Sequence, residues 1–464
     1  MSSPLIWIFL PAVISIILWF LPERPKLRLG LGMVFSSVLG FLAWILPIGT
    51  TFHLGPWPIE VSDTFSILGR TLTLGEAAKP MLILFYLLTA LWFLGGFAVN
   101  VTTVLAPLGL AVVALLVAAL AVQPFLYGAL LIEMAVIVSV LILAPPGETP
   151  GQGVLRYLIF QTLGVPFILF SGWMLNGIET GSAGPTLILR ATIMLGLGFA
   201  FLLAIFPFNT WLPLLAGQAE PYVTGFVLVM LPMTVLLFAL NFLDLYAWLR
   251  DQPEVYAALR LVGVLMVATG GIWAAFQRHL GRMLGYAIIV ETGMALLAVG
   301  LKDQGGLQLF SAQFLPRAVG IWVWALSLAA LRQKVGGLDF DTVRGKLHVY
   351  PFVAGGLLVA QFSLAGLPLL ANFPFQGSLL TAIYQQSPLS ALWVFAGNLG
   401  LLLAGLRSLN ALAVQAGVEA WKIGEHRGEA ALFCLGVLFI LALGLFPQWF
   451  LPSLFGLLRA YTHF

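Results

Sequence analysis

The stretch Phe206-Pro207-Phe208-Asn209-Thr210-Trp211-Leu212-Pro213 sets two prolines into an apolar run that would otherwise read as one helix. A proline removes a backbone donor and clashes with the preceding turn, so the run must break and free carbonyls that hydrocarbon cannot satisfy. A second break of the same kind is Gly366-Leu367-Pro368-Leu369-Leu370-Ala371-Asn372-Phe373-Pro374. Pro368 follows Pro207 by 161 residues, and Glu291 follows Glu133 by 158. Paired interruptions at matching places in two halves point to a transport site, while simple proline kinks are the plainer reading. The polar residues expected beside the breaks are Asn209, Thr210, Asn372 and Gln376, placed to satisfy freed backbone or ordered water.

Composition says what surrounds these breaks. The 464 residues carry 21 Lys+Arg and 18 Asp+Glu, only 8% of the chain, against 61% hydrophobic residues. An average soluble domain is about 25% charged, so this chain reads as a polytopic membrane protein of the all-α class. One cysteine, Cys434, excludes a disulfide framework, a cysteine-ligated cluster and a Cys-rich zinc site. His53, His279, His348, His426 and His463 fall in loops or at span ends, where no pair could hold a haem inside the bilayer. No cofactor, metal or nucleic-acid site is expected.

A spanning helix needs about 20 mostly apolar residues. By that measure the sequence predicts spans near 4–22, 28–49, 79–98, 102–122, 124–145, 155–176, 186–207, 222–246, 257–276, 281–301, 307–331, 348–371, 388–412 and 430–450, about 14 in all. The first lacks a basic leader and a small-residue cleavage site, so it is expected to be retained. The polar connection 53–79 alternates through Ile59-Glu60-Val61-Ser62-Asp63-Thr64-Phe65 and again through Arg70-Thr71-Leu72-Thr73-Leu74, which suggests an extramembrane hairpin. The odd-numbered loops hold 13 Lys/Arg, including Arg278, Arg332, Lys334, Lys346 and Lys422, against 7 on the face of the termini. Cations concentrate on the cytoplasmic side, so both termini are expected outside.

Three ionisable residues sit deep in apolar spans: Glu133, Glu291 and Arg317. A charge at a helix centre costs about 2.5–3.5 kcal/mol on insertion scales. Each is therefore a candidate for a proton or ion relay, the alternative being an interior pair that only fixes packing. No substrate-sized polar cluster speaks for a sugar or peptide transporter.

At these residues the chain resembles the antiporter-like membrane subunits of respiratory complex I, of Mrp-type cation/proton antiporters and of membrane-bound hydrogenases. Pro207-Phe208-Asn209-Thr210-Trp211-Leu212-Pro213 is similar to the family's P-F/L-H-x-W-L-P signature. Arg282-Met283-Leu284-Gly285-Tyr286-Ala287 resembles the basic entry K-R-L-L-A-Y-S, and Ser363-Leu364-Ala365-Gly366-Leu367-Pro368 resembles S-L-A-G-I/L-P. Glu133 occupies the place of the fifth-helix glutamate. The likeness runs from about Pro80 to Ala413.

What the resemblance implies is a fold of fourteen helices with two inverted five-helix repeats, here 102–246 and 257–413, each with a broken helix. They are flanked by 1–101 and 414–464. It also implies other membrane subunits and the bilayer as partners, protons or monovalent cations as cargo, and a prokaryotic inner or organellar energy-transducing membrane. Larger members carry further helices and a lateral helix beyond the position of Phe464, so a mid-array place is expected.

The chain departs from the family pattern at the lysines. The seventh-helix lysine falls on Leu202, the eighth-helix lysine near Met233 or Thr234, the lysine of the basic entry on Gly281, and the twelfth-helix lysine or glutamate on Gln376. The signature histidine is Asn209, a tenth-helix histidine is Glu291, and H-x-x-x-K reads Gln313-Phe314-Leu315-Pro316-Arg317. A buried lysine can shed its proton, whereas arginine stays charged. Two functions therefore stay open: a subunit that contributes to proton or cation translocation, and a non-conducting structural subunit of the same kind of complex.

Overall fold

The computed structural model describes every residue except 1, 23, 55–56, 68, 100, 146, 148, 180–184, 415–422 and 464, so Lys422 of the loop count lies outside the described residues. Hydrocarbon leaves a chain the helix or the closed barrel, and continuous apolar runs of about 20 residues take the helix, whose backbone bonds are all internal. A π-helical turn, Leu5–Phe9, runs into α1 (Leu10–Phe20), then α2 (Pro25–Ile45), α3 (Lys79–Gly95), α4 (Leu105–Ala121), α5 (Gly128–Leu143) and α6 (Gln152–Glu179). Next come α7 (Pro185–Leu202), the short α8 (Trp211–Gln218), α9 (Pro221–Leu245), the single turn α10 (Ala247–Arg250), α11 (Pro253–Phe276) and α12 (Leu280–Gly300). The last are α13 (Gly306–Ala312), α14 (Phe314–Val335), α15 (Pro351–Leu364), α16 (Phe373–Gln386), α17 (Pro388–Ala413), α18 (Arg427–Leu445) and α19 (Leu451–Phe455).

Among the described residues, ten helical elements are long and apolar enough to cross a bilayer unaided, and five apolar helices are shorter. Two of the shorter ones, Thr186–Leu202 and Pro351–Leu364, stop at the proline breaks, and α8 and α16 resume beyond them. The expected spans 186–207 and 348–371 therefore end early. The expected span 307–331 is also interrupted, at Gln313 between α13 and α14. Pro316 lacks the N–H that would meet the Ala312 carbonyl four residues back, which accounts for the interruption.

The core is made by α9, α12 and α13–α14, which are almost wholly buried, while fewer than half of the residues are buried along α2, α5, α6, α11, α17 and α18. An aromatic clasp ties α3, α9 and α14 together. Trp322 Nε1 donates to the Tyr222 hydroxyl at 3.1 Å, and Trp92 Nε1 donates to the Tyr222 carbonyl at 3.1 Å. The Tyr222 hydroxyl in turn donates to the Trp92 carbonyl.

Between α2 and α3 lie two antiparallel hairpins. Strands β1 (Thr51–Leu54) and β2 (Trp57–Glu60) form the first, and β3 (Thr64–Ile67) and β4 (Arg70–Thr73) form the second. A two-residue strand β5 (Val122–Gln123) pairs with β4. The alternation over Ile59–Phe65 is thus split between two strands. Val61 and Ser62 turn away to bond elsewhere: the Val61 carbonyl accepts from Gly49 N, and the Ser62 carbonyl from Ser3 N, each at 2.8 Å.

Candidate functional site

Each proline break is built around one non-glycine residue in the left-handed region, Ala204 (φ 51°) in the first and Leu369 (φ 72°) in the second. Among the described residues these are the two of that kind. Such a conformation costs about 1–2 kcal/mol and persists where surrounding packing over-determines it. Each break also has one glutamine that donates to the last freed carbonyl. Gln161 Nε2 of α6 donates to the Leu202 carbonyl at 3.0 Å, and Gln376 Nε2 of α16 donates to the Leu364 carbonyl at 2.9 Å.

Polar groups gather at the second break. Glu291 of α12 is fully buried, and its Oε1 accepts from Asn372 Nδ2 at 3.0 Å and from Gln376 Nε2 at 3.5 Å. One turn of chemistry away, Arg317 of α14 is 2% exposed and donates from Nη2 to Thr292 Oγ1 at 3.2 Å. Glu291 and Arg317 are therefore linked through neighbouring residues of α12 and do not form one of the ion pairs found within 4 Å among the described residues. Among the described residues, Glu291 Oε2, Arg317 Nε and Nη1, Asn372 Oδ1 and Gln376 Oε1 have no hydrogen-bond partner. The same is true of both amide ends of Gln313 and Gln361. Unmet polar capacity of this density in a hydrocarbon-rich core is suited to ordered water or a hydrated ion.

A cavity of about 370 Å³ is lined by Gln304, Gln308, Ala312, Pro316, Ala371 and Pro374 among others. Ala312, Pro316 and Ala371 precede Gln313, Arg317 and Asn372 in the chain, but none of Glu291, Arg317, Asn372 and Gln376 lines it. Sequence reasoning had singled out Glu291, Arg317, Asn372 and Gln376 separately, and the structure brings all four together. Gln361 and Ser363, buried polar residues of the last turn of α15 before the break, were not singled out by the sequence reading. A glutamine inside Leu357–Leu364 was the available signal.

The first break is dry by comparison. Leu202, Leu203 and Ala204 are buried, as are Met233 and Thr234 of α9, and the Thr234 hydroxyl is spent on the Met230 carbonyl at 2.9 Å. Asn209 is half-buried and Thr210 exposed, and neither side chain makes a hydrogen bond among the described residues. The expectation that they satisfy the freed backbone gives way to Gln161, because α6 packs across the break and reaches it first. Glu133 stands apart from the cluster. It is half-buried on α5, accepts from Thr162 Oγ1 at 2.7 Å, and lies between the exposed Leu130, Met134 and Ile137. Its Oε2 has no partner.

The two halves meet where α8 rests on α12. A Cβ on Gly281 would run into the Ala216 carbonyl, and one on Gly285 would stand 2.6 Å from the Pro213 Cα. This close approach leaves room for no side chain at either position. Just before it, His279 caps α12: its Nδ1 accepts from Gly281 N at 3.1 Å and from Arg282 N at 3.3 Å. The same segment pairs with the 338–340 loop, Leu280 N donating to the Leu338 carbonyl and Phe340 N to the Arg278 carbonyl, each at 2.9 Å. Burial pushes the His279 imidazole below its ordinary value; Arg282 and Arg332 push the same way, against the pull of Asp339.

Known proteins share this fold. The chain is 25% identical over 265 residues to NADH-quinone oxidoreductase subunit N 1 of Herpetosiphon aurantiacus, a match that covers only 53% of this chain and 53% of that relative. Subunit 14 of the Thermus thermophilus enzyme is 27% identical over 92% of both chains. In structure, a chain of respiratory complex I from Thermus thermophilus superposes with a TM-score of 0.78 at 21% identity, covering 99% of both. A chain of the Mrp complex from Dietzia sp. superposes with a TM-score of 0.82 at 17% identity, covering 99% of this chain and 97% of that one. The model of the NADH:quinone oxidoreductase/Mrp antiporter transmembrane family matches residues 152–402, from the start of α6 through most of α17 and thus across both breaks. The chain belongs to that family.

Proposed function

We propose that this chain is an antiporter-like membrane subunit of a complex I-like or related assembly, and that protons or monovalent cations pass through its second half by way of Glu291. The observation that carries the reading is the buried Glu291–Asn372–Gln376 group, with Arg317 on the adjoining Thr292 and with polar atoms unpartnered among the described residues. Glu291 takes up and releases the proton. Arg317 holds a fixed positive charge that biases the exchange without releasing a proton itself near neutral pH. Asn372 and Gln376 orient the carboxyl, and Gln376 couples it to the broken backbone at Leu364. Glu133 serves as an accessory relay at the perimeter, where a neighbouring subunit or water completes its shell. The two stretches 102–246 and 257–413 act as inverted repeats.

A second reading has its own observation. Leu202 and Met233 are buried where the family places titratable lysines, so the first half offers no continuous relay. In this reading the chain is a non-conducting structural subunit of the same kind of complex. Proton translocation by the reconstituted complex separates the two. Glu291→Gln should abolish most of this chain's contribution at normal assembly, and wild-type coupling in that variant would establish the structural role.

Both termini are assigned to the outer face on the distribution of Lys/Arg, 13 against 7. Several of these cations also cap carbonyls, as Arg332 does at Ala219 (2.8 Å). Cysteine labelling at the exposed Asp339 from the inside and at the exposed Asp251 from the outside is expected, Ser3 being fully buried, and the opposite pattern would reverse the assignment.

A further inference from the structure

Away from the proton site, α11 and the start of α17 enclose an apolar groove of about 730 Å³. From Leu261 to Ile272 its α11 wall rises about 17 Å at 1.5 Å per residue, close to the roughly 15 Å acyl layer of one leaflet, half of the hydrocarbon core. Leu261, Leu265, Leu389 and Trp393 face outward along it. The inner end is blind, because Gly271 and Gly397 bring α11 and α17 into backbone contact. A Cβ on Gly271 would collide with the Gly397 carbonyl. A partner helix crossing the whole bilayer could not follow the groove past this point, but an acyl chain ends there.

The mouth is basic. Arg260 and Gln386 line both the groove and an adjoining pocket of about 490 Å³ that also holds Lys302 and Tyr256. Arg260 spends Nη1 on the Gly300 carbonyl at 2.7 Å, which leaves its other N–H groups for a ligand. Lys302 donates to the Arg250 carbonyl at 3.0 Å and lies over the Tyr256 ring, with two donors remaining. Among the described residues neither cation forms an ion pair, and the pocket's Asp251 is 3.7 Å from Arg250. An amphiphile with an anionic head and chains about one leaflet long fits both parts at once.

We propose that this groove and pocket bind one anionic phospholipid, its phosphate held by Arg260 and Lys302 and its acyl chains laid along α11. The site does not depend on whether the second half conducts. The test uses the full chain purified in detergent and offered phosphatidylglycerol or phosphatidylcholine, with bound lipid counted by native mass spectrometry. Wild type should retain phosphatidylglycerol about thirtyfold better, the effect of two basic residues beside an anionic head group. Arg260→Gln combined with Lys302→Gln should erase that preference, while Arg260→Lys should keep it and so report on folding. Val264→Trp, which fills the half-buried floor of the groove, should expel both lipids. Equal retention of the two lipids by wild type, or phosphatidylglycerol kept by Val264→Trp, would overturn the proposal. Displacement of the lipid by inorganic phosphate alone would also overturn it, since the groove would then contribute nothing.

Discussion

The two broken helices share a scaffold and differ in what fills it. Both stop after an apolar helix, pass through one left-handed non-glycine residue and hand their last carbonyl to a glutamine. At the first break the chain itself supplies buried Leu202, Leu203 and Ala204. At the second, buried Glu291 accepts from Asn372 and Gln376, and Arg317 bonds the adjoining Thr292. A break is therefore a backbone device that stands on its own; the chemistry depends on which side chains neighbouring helices bring to it. The glutamines show this most directly, since Gln161 comes from the helix packed beside the break and Gln376 from beyond the break in the same chain segment.

The sharpest way to break this contrast is a pair of isosteric amides. Glu291→Gln is expected to lower coupled translocation on the order of a hundredfold, the scale of losing a positioned proton carrier. Glu133→Gln at the perimeter should change it by only about twofold, well below that scale. Arg317→Lys should fall between wild type and Arg317→Met, because it restores the charge but not the fork of donors. Reversal of the Glu133 and Glu291 effects would move the working site to the first half.

The glutamines give the next largest effect and sharpen the scaffold side of the comparison. Gln161→Leu and Gln376→Leu each leave a buried carbonyl unmet, and each should destabilise the chain by about 1–3 kcal/mol. Thermal unfolding in detergent should detect both. Only Gln376→Leu should also disturb translocation, since it alone touches Glu291. Equal transport defects would mean that the backbone break itself carries the function.

The smallest expected effect concerns how helices of the two halves open. Gly153 N at the start of α6 donates to Gln218 Oε1 at 2.9 Å, a contact that does not titrate. Helix α12 opens under His279 Nδ1, which must be unprotonated to accept. With its folded pKa lowered from 6.5, the cap contributes fully above the unfolded value and is lost as pH falls through the lower folded one. Loss of an N-cap is worth about 0.5–2 kcal/mol. Wild type should therefore lose stability on acidification from pH 8 to 5 by more than His279→Asn, whose cap persists, and equal pH profiles would remove this asymmetry.

The sequence by itself determined the membrane class, the places of both breaks and the interior position of Glu291 and Arg317. The physical reason is cost: a proline in a helix and a charge in hydrocarbon each carry a penalty large enough to be read from one residue. Only the tertiary structure decided that Gln161 closes the first break, that Gln376 joins Glu291 to the second, and that Glu133 is half-buried beside exposed residues while Glu291 is fully buried. In a soluble helix, an apolar stripe would have announced the inward face. Here lipid and protein core are equally apolar, so Leu130 and Met134, which face outward, cannot be told in sequence from Ile132 and Val136, which are buried. Which side of a membrane helix points inward is settled by close packing, such as Gly281 and Gly285 against α8, and that information exists only once the neighbour is in place.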